Sequence, residues 1–90
     1  MHAVVVRVTI HDFEAAHKGL TTQVVPTVSQ APGFVAGYWT RSEDGSNGLG
    51  TVVFESEDAA RAVAGMIQSQ PPDEGVSLEG VEVREVVANA

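Results

Sequence analysis

Residues 32–41 read Pro-Gly-Phe-Val-Ala-Gly-Tyr-Trp-Thr-Arg, and this stretch decides the fold. A Pro-Gly turn starts an aromatic-rich strand, which we expect to run from about Phe34 to Arg41. A polar, glycine-rich loop, Ser42 to Gly48, follows and is longer than a two-residue hairpin turn. A second strand, Leu49 to Glu55, leads at once into Ser56, a strong helix N-cap. The centre of the chain is therefore predicted to be a β-hairpin followed by a helix.

A strand of alternating side chains precedes the hairpin, from about Ala3 to His11. One of its faces is wholly apolar and is expected to pack under the helices; it comprises Val4, Val6, Val8 and Ile10. The other face carries Val5, Arg7 and Thr9. A mixed face of this kind suits a half-buried or dimer-facing surface.

The first helix is predicted to begin after Asp12, which can cap it. Its apolar residues recur at three- and four-residue steps and are Phe13, Ala16, Leu20, Val24 and Val28. Gly19 weakens the helix, and Pro26 lacks an N–H for an interior hydrogen bond. We expect Pro26 to kink or end the regular helix near Val25, with a short irregular turn carrying Thr27 to Gln30 into the Pro32-Gly33 corner.

The second helix, capped by Ser56, has an alanine-rich apolar stripe and is expected to stop at Pro71-Pro72. A last strand is predicted from about Val76 to Val87, with a bulge or bend suggested by Gly80 and by a change of phase after Val83. The order is β-α-β-β-α-β. This order is typical of an α+β, ferredoxin-like sandwich with a four-stranded antiparallel sheet and two helices on one face, in one domain over residues 1–90.

Composition excludes several classes of function. The net charge is −7, and five basic residues among twelve acidic ones do not form a stripe that could follow phosphates. We therefore expect neither nucleic acid nor an anionic membrane as a partner. The chain has no cysteine, which excludes disulfides and thiolate chemistry and fits a cytoplasmic protein. Three histidines without ligating spacing predict no metal site.

The quoted stretch, with Val-Phe-Glu-Ser-Glu-Asp-Ala-Ala at the end of the third strand, resembles the antibiotic-biosynthesis-monooxygenase-like members of the dimeric α+β barrel superfamily. The resemblance implies a homodimer in which two sheets form a barrel. It also implies a pocket for a small aromatic molecule: some of these proteins oxidise polycyclic phenols without metal or flavin, and some cleave haem. We therefore expect no cofactor.

Haem cleavage is not expected, because three positions depart from the haem-cleaving relatives. Those relatives use an Asn on the first strand, a Trp at the end of the third strand and a His on the next helix. Here the first strand has no Asn, Phe54 stands at the Trp position, and Val63 and Ala64 stand where the His would fall.

Five residues are candidate ligand contacts: Arg7, His11, His17, Tyr38 and Trp39. Tyr38 and Trp39 point to opposite faces of one strand, so one can stack on a ligand while the other fills an interface. A histidine can act as a general base, although both histidines also suit exposed positions at element ends. For Arg7 we favour a pair with Glu55, Glu82 or Glu85 over anion binding.

Three functions remain open at this point, and no catalytic residue is assigned. We favour a small-molecule-binding or catalytically degenerate relative of the monooxygenases. The alternatives are a cofactor-independent monooxygenase acting on an aromatic substrate, and a purely structural or stress-associated dimer. A ligand-sized pocket lined by Tyr38 or Trp39 with a buried histidine would favour the enzyme. A pocket filled by Phe13, Phe34, Phe54 and Met66 would favour the structural dimer.

Overall fold

The computed structural model describes residues 1–71 and 74–90 and confirms the predicted order of elements. The strands are β1 (His2–Ile10), β2 (Phe34–Arg41), β3 (Asn47–Phe54) and β4 (Val76–Glu85). The first helical region consists of α1 (Phe13–Gly19), a π-helical turn (Leu20–Val24) and α2 (Val25–Ser29). The second helical region is α3 (Glu57–Ser69). The sheet order is β2-β3-β1-β4 with antiparallel neighbours, which is the ferredoxin-like arrangement.

The helix-facing side of the sheet is the apolar face predicted from β1. Val4 pairs with Val52 on one side and Val83 on the other. These three side chains pack with residues of α2 and α3 into one core, whose buried members are Val4, Val28, Val52, Phe54, Ala60, Val63 and Ala64. The small residues of α3 let that helix lie close to the sheet, as its alanine-rich stripe predicts.

Phe54 lies at the centre of this core, at the end of β3. Its side chain is 0% exposed, and its ring meets Phe34 edge-on with centroids 6.3 Å apart. Ser56 caps α3 by accepting a hydrogen bond from the Ala59 backbone N–H. The aromatic end of β3 and the cap that follows it therefore anchor α3 over the sheet.

The regular α-helix is interrupted ahead of Pro26 by the π-helical turn but does not end there, and the expected irregular turn from Thr27 is wrong: the helix continues to Ser29. The π-helical turn explains why Pro26 is tolerated. The Val25 N–H reaches the Leu20 carbonyl five residues back, and α2 begins at Val25. Pro26 then falls in the first turn of α2, where the N–H groups make no bond within the helix. As a result, Val28 is carried into the core.

The predicted irregularity in β4 is a register shift against β1. Arg7 pairs with Gly80 and Val8 pairs with Leu78, so Glu79 is the extra residue. The bulge keeps both Leu78 and Val81 on the helix-facing side although they are three positions apart. Beyond it the pairing stays regular, and β4 ends at Glu85, earlier than the predicted Val87.

The β2–β3 loop is held by Asp44. Its carboxylate accepts hydrogen bonds from the Ser46 backbone N–H and from the hydroxyls of Ser42 and Ser46. These bonds, the Ser46 backbone bond first, lower the pKa of Asp44 to about 2. Because the folded pKa lies below the usual value, the loop keeps these bonds at neutral pH and loses them only as the pH falls towards about 2.

Two predicted features lie partly outside the described residues. Pro72 belongs to the expected helix stop, and Asp73 belongs to the loop that follows it. Within residues 1–71 and 74–90, no helix combines the length and apolar character needed to cross a bilayer.

Candidate functional site

A cavity of about 360 Å³ lies between the sheet and the first helical region. Its floor is apolar and includes Val28 and Val52, which are 3% and 2% exposed. Apolar side chains from both layers form the walls; they include Val6, Val8, Ile10, Ala16, Leu20, Val24, Ile67, Val76 and Leu78. The strand alternation of β1 and the helical stripe of the first helical region thus enclose a space that their side chains do not fill.

Trp39 forms the wall on the β2 side. Its indole lies flat on the sheet over two glycines. A Cβ atom at Gly37 would stand 2.8 Å from Cη2 of the indole, and one at Gly50 would stand 3.0 Å from Cδ1 and Nε1. A side chain at either position would push the indole into the cavity. Gly37 and Gly50 therefore preserve both the orientation of Trp39 and the open volume beside it.

Three exposed side chains, Phe13, His17 and Arg41, form what we call the rim of the cavity. The Phe13 and His17 rings stack with centroids 5.4 Å apart and planes inclined by 20°. The Arg41 guanidinium lies over the Phe13 ring, with its Cζ 3.8 Å from the ring centroid. Two polar groups of the site, His17 and Arg41, thus stand at the opening, above a mainly apolar interior.

Of the five candidate ligand contacts, the structure places two in the cavity and three elsewhere. His17 and Trp39 line the cavity. Tyr38 alternates with Trp39 and points away from the helices, where it is 71% exposed. Arg7 and His11 also lie outside the cavity lining.

Arg7 and His11 have other partners. Arg7 forms an ion pair with Glu82 at 3.1 Å, the pairing favoured from the sequence, and Arg84 contacts the same carboxylate at 3.0 Å. The Arg84 hydrogen bond and the Arg7 contact lower the pKa of Glu82. His11 Nε2 lies 2.7 Å from the Ser77 hydroxyl. These groups form a polar network away from the cavity.

The sequence reasoning missed two members of the rim, Phe13 and Arg41. Phe13 was assigned to the apolar stripe of the first helix, but it is 40% exposed at the first turn, where it overhangs the opening. Arg41 carried a usable signal, because it is two residues from Trp39 on one strand and so shares its face. Its position at the end of β2 puts it at the edge of the sheet, beside α1.

The chemistry available in the cavity is limited. A flat apolar molecule can contact the indole and the aliphatic walls, and its polar groups can reach the rim. His17 is the side chain of the lining whose type could serve as a general base. Within the described ranges, no three His, Asp or Glu side chains come together as a metal site.

The fold matches those of solved structures, while no family model and no curated protein sequence matches the chain. One similar structure is a monooxygenase from the ActVA-Orf6 gene of Streptomyces coelicolor, in complex with the ligand nanaomycin D. It is 20% identical, the match covers 99% of this chain and 92% of that chain, and the TM-score is 0.58.

A second similar structure is the haem degrader MhuD from Mycobacterium tuberculosis, with two haems bound in its active site. It is 18% identical, the match covers 97% of this chain and 98% of that chain, and the TM-score is 0.55. Both matches confirm the resemblance to the antibiotic-biosynthesis-monooxygenase-like fold. At these identities they show the fold alone.

Proposed function

We propose that this protein binds a small, flat, largely apolar aromatic molecule in the cavity between the sheet and the first helical region. The observation that carries the proposal is the open volume of about 360 Å³ beside Trp39. Ligand pockets typically span about 300–1,000 Å³ and combine apolar walls with a few polar groups. The cavity has this composition, with two of its polar groups at the rim.

The position of the phenylalanines favours a binding protein over a purely structural one. Phe54 belongs to the packed core, and Phe34 and Met66 pack against that core. Phe13 stands at the rim. None of these four side chains fills the cavity, so the space beside Trp39 is free for a ligand.

The positions of Phe54, Val63 and Ala64 argue against haem degradation, the activity of the second similar structure. Phe54 is buried in the core, and Val63 and Ala64 of α3 are buried beside it. Two of the three positions that the resemblance links to haem cleavage, at the end of β3 and on α3, therefore face the core of this chain and lie outside the cavity lining.

A second candidate function is a cofactor-independent monooxygenase, and the observation that favours it is His17 in the cavity lining. The imidazole would take the proton of a phenolic substrate, and the electron-rich ring would then reduce O₂. The exposure of His17 makes simple binding the better-supported function.

Filling the cavity should weaken binding. We expect Ala16→Phe, which puts a ring into the cavity, to weaken the binding of a flat aromatic by about tenfold or more, which corresponds to about 1.4 kcal/mol. The measurement is a titration with naphthol followed by amide NMR shifts. Ala62→Phe is the control, because Ala62 is exposed on α3 and absent from the lining. Equal affinity of the two variants would contradict the proposal, and oxygen uptake during the titration would favour the second candidate.

We also propose a cytoplasmic location, which the lack of cysteine supports.

We further propose that the protein acts as a homodimer. The sheet face opposite the helices, which we call the outer face, exposes Tyr38 and Leu49, at 71% and 41%. Apolar side chains on an open sheet face favour burial against a second copy, as the family resemblance implies.

Charge on the outer face should disrupt the dimer. We expect wild-type protein to sediment as a dimer at tens of micromolar, a typical order of magnitude for such contacts. Tyr38→Lys should sediment as a folded monomer, because a lysine at this exposed position would bring an unpaired charge into the proposed interface. Gln68→Lys, on exposed α3, is the matched control for charge. A wild-type monomer, or a Tyr38→Lys dimer of unchanged affinity, would overturn the proposal.

A further inference from the structure

We infer that the ligand is an aromatic carboxylic acid, whose carboxylate is bound by Arg41 at the rim. This inference rests on the proposed function, since it concerns the same cavity. It adds the chemical class of the ligand and the residue that selects it.

The inference rests on a comparison of which arginines have a carboxylate partner. Arg7, Arg61 and Arg84 each contact a glutamate, at 3.1, 2.7 and 3.0 Å. Arg41 has no carboxylate within 4.0 Å and donates no side-chain hydrogen bond among residues 1–71 and 74–90. Among the described residues, Arg41 is thus the arginine without an acidic partner, in a chain that is rich in acidic residues. It is also the arginine that lines the apolar cavity.

The geometry at Arg41 suits a planar anion. Its guanidinium is held over the Phe13 ring at 3.8 Å, a cation–π contact that orders the group. Arg41 donates no side-chain hydrogen bond to the described residues, so its N–H groups are available to a ligand. Two of them can bind the two oxygens of a carboxylate at once, a match that a single phenolic oxygen cannot make.

The cavity also has room for the ring system of such a ligand. With its carboxylate on Arg41, an aromatic acid can extend its rings between Trp39 and the apolar wall from Leu20 and Val24. The net charge of −7 makes a general attraction of anions implausible, because the field of the whole protein repels them. A preference for an acid must therefore come from a local group.

The test compares acids with amides of the same shape. Benzoate and benzamide, naphthoate and naphthamide, and anthracene carboxylate and its amide are titrated by calorimetry and amide NMR at about pH 8, where the acids are ionised. We expect the wild-type protein to prefer the acid of the best-fitting pair by about tenfold, since charge-assisted hydrogen bonds are the stronger ones.

Arg41→Gln should lose this preference and keep the amide affinity. Arg41→Lys should keep part of the preference, because lysine keeps the positive charge but lacks the pair of N–H groups that can bind both carboxylate oxygens at once. Arg61→Gln is the matched control: it removes the same charge from an exposed arginine on α3 and should leave the preference unchanged. Amide spectra of all variants verify that each is folded.

The outcomes separate this inference from the proposed function. Equal binding of acid and amide to wild type, or a preference that survives in Arg41→Gln, overturns the carboxylate inference and leaves the cavity as a binding site. If no member of any pair binds to wild type, both the inference and the proposed function are wrong.

Discussion

Phe54→Ala is expected to remove a large part of the stability of the domain. Phe54 is 0% exposed and packs against Phe34 under α3. Truncation of a buried phenylalanine costs about 3–5 kcal/mol, because the lost apolar contacts leave a cavity behind. A small domain has only about 5–15 kcal/mol of total stability, so this loss removes much of it.

Urea unfolding followed by circular dichroism measures this effect, and Phe13→Ala is the matched control. Phe13 is 40% exposed at the rim, so the same truncation there should cost about 1 kcal/mol. A Phe54→Ala midpoint close to that of wild type would mean that the end of β3 is not part of the packed core.

Gly75→Ala is expected to destabilise the protein by about 2–5 kcal/mol. Gly75 has a φ of +85°, a backbone conformation that costs a residue with a side chain about 1–2 kcal/mol. A Cβ atom there would also stand 2.5 Å from the Asp12 carbonyl oxygen, and forced contacts of this kind cost about 1–3 kcal/mol. The Gly75 carbonyl accepts hydrogen bonds from the backbone N–H groups of His11 and Asp12, at 2.7 and 3.1 Å. A shift of Gly75 would therefore disturb the start of α1.

Gly45→Ala separates the two contributions. Gly45 has a similar φ of +78°, but no described atom lies within 4 Å of its added Cβ. This variant should lose only the backbone cost of about 1–2 kcal/mol. Thermal or urea unfolding of both variants gives the comparison. Equal losses would show that the contact with Asp12 is relieved without cost.

The sheet was predictable because its signals are local. A Pro-Gly corner, alternating side chains and the Ser56 cap each act over a few residues, and β2 has the predicted bounds, Phe34–Arg41. Trp39 and His17, which line the cavity, could also be singled out from the sequence as candidate contacts. Their chemistry is rare in this chain, which has one tryptophan and three histidines.

The openness of the cavity was not predictable from the same signals. Periodicity places Phe13 on the apolar side of the first helix, but it does not say whether the ring fills the interior or overhangs its edge. The π-helical turn was missed for a related reason. A change of hydrogen-bond partner at Val25 leaves no trace in the apolar pattern, and Pro26 alone indicates a break.

Because Tyr38 and Trp39 point to opposite faces of β2, they can report on two different surfaces of the protein, Trp39 by its fluorescence and Tyr38 by its NMR signals. Each is the one residue of its type in the chain. The indole lies in the cavity wall, so its emission on selective excitation responds to what occupies the cavity. The phenol ring stands on the outer face, so its proton resonances respond to what covers that face. Ligand binding and self-association can therefore be followed independently in one unlabelled sample.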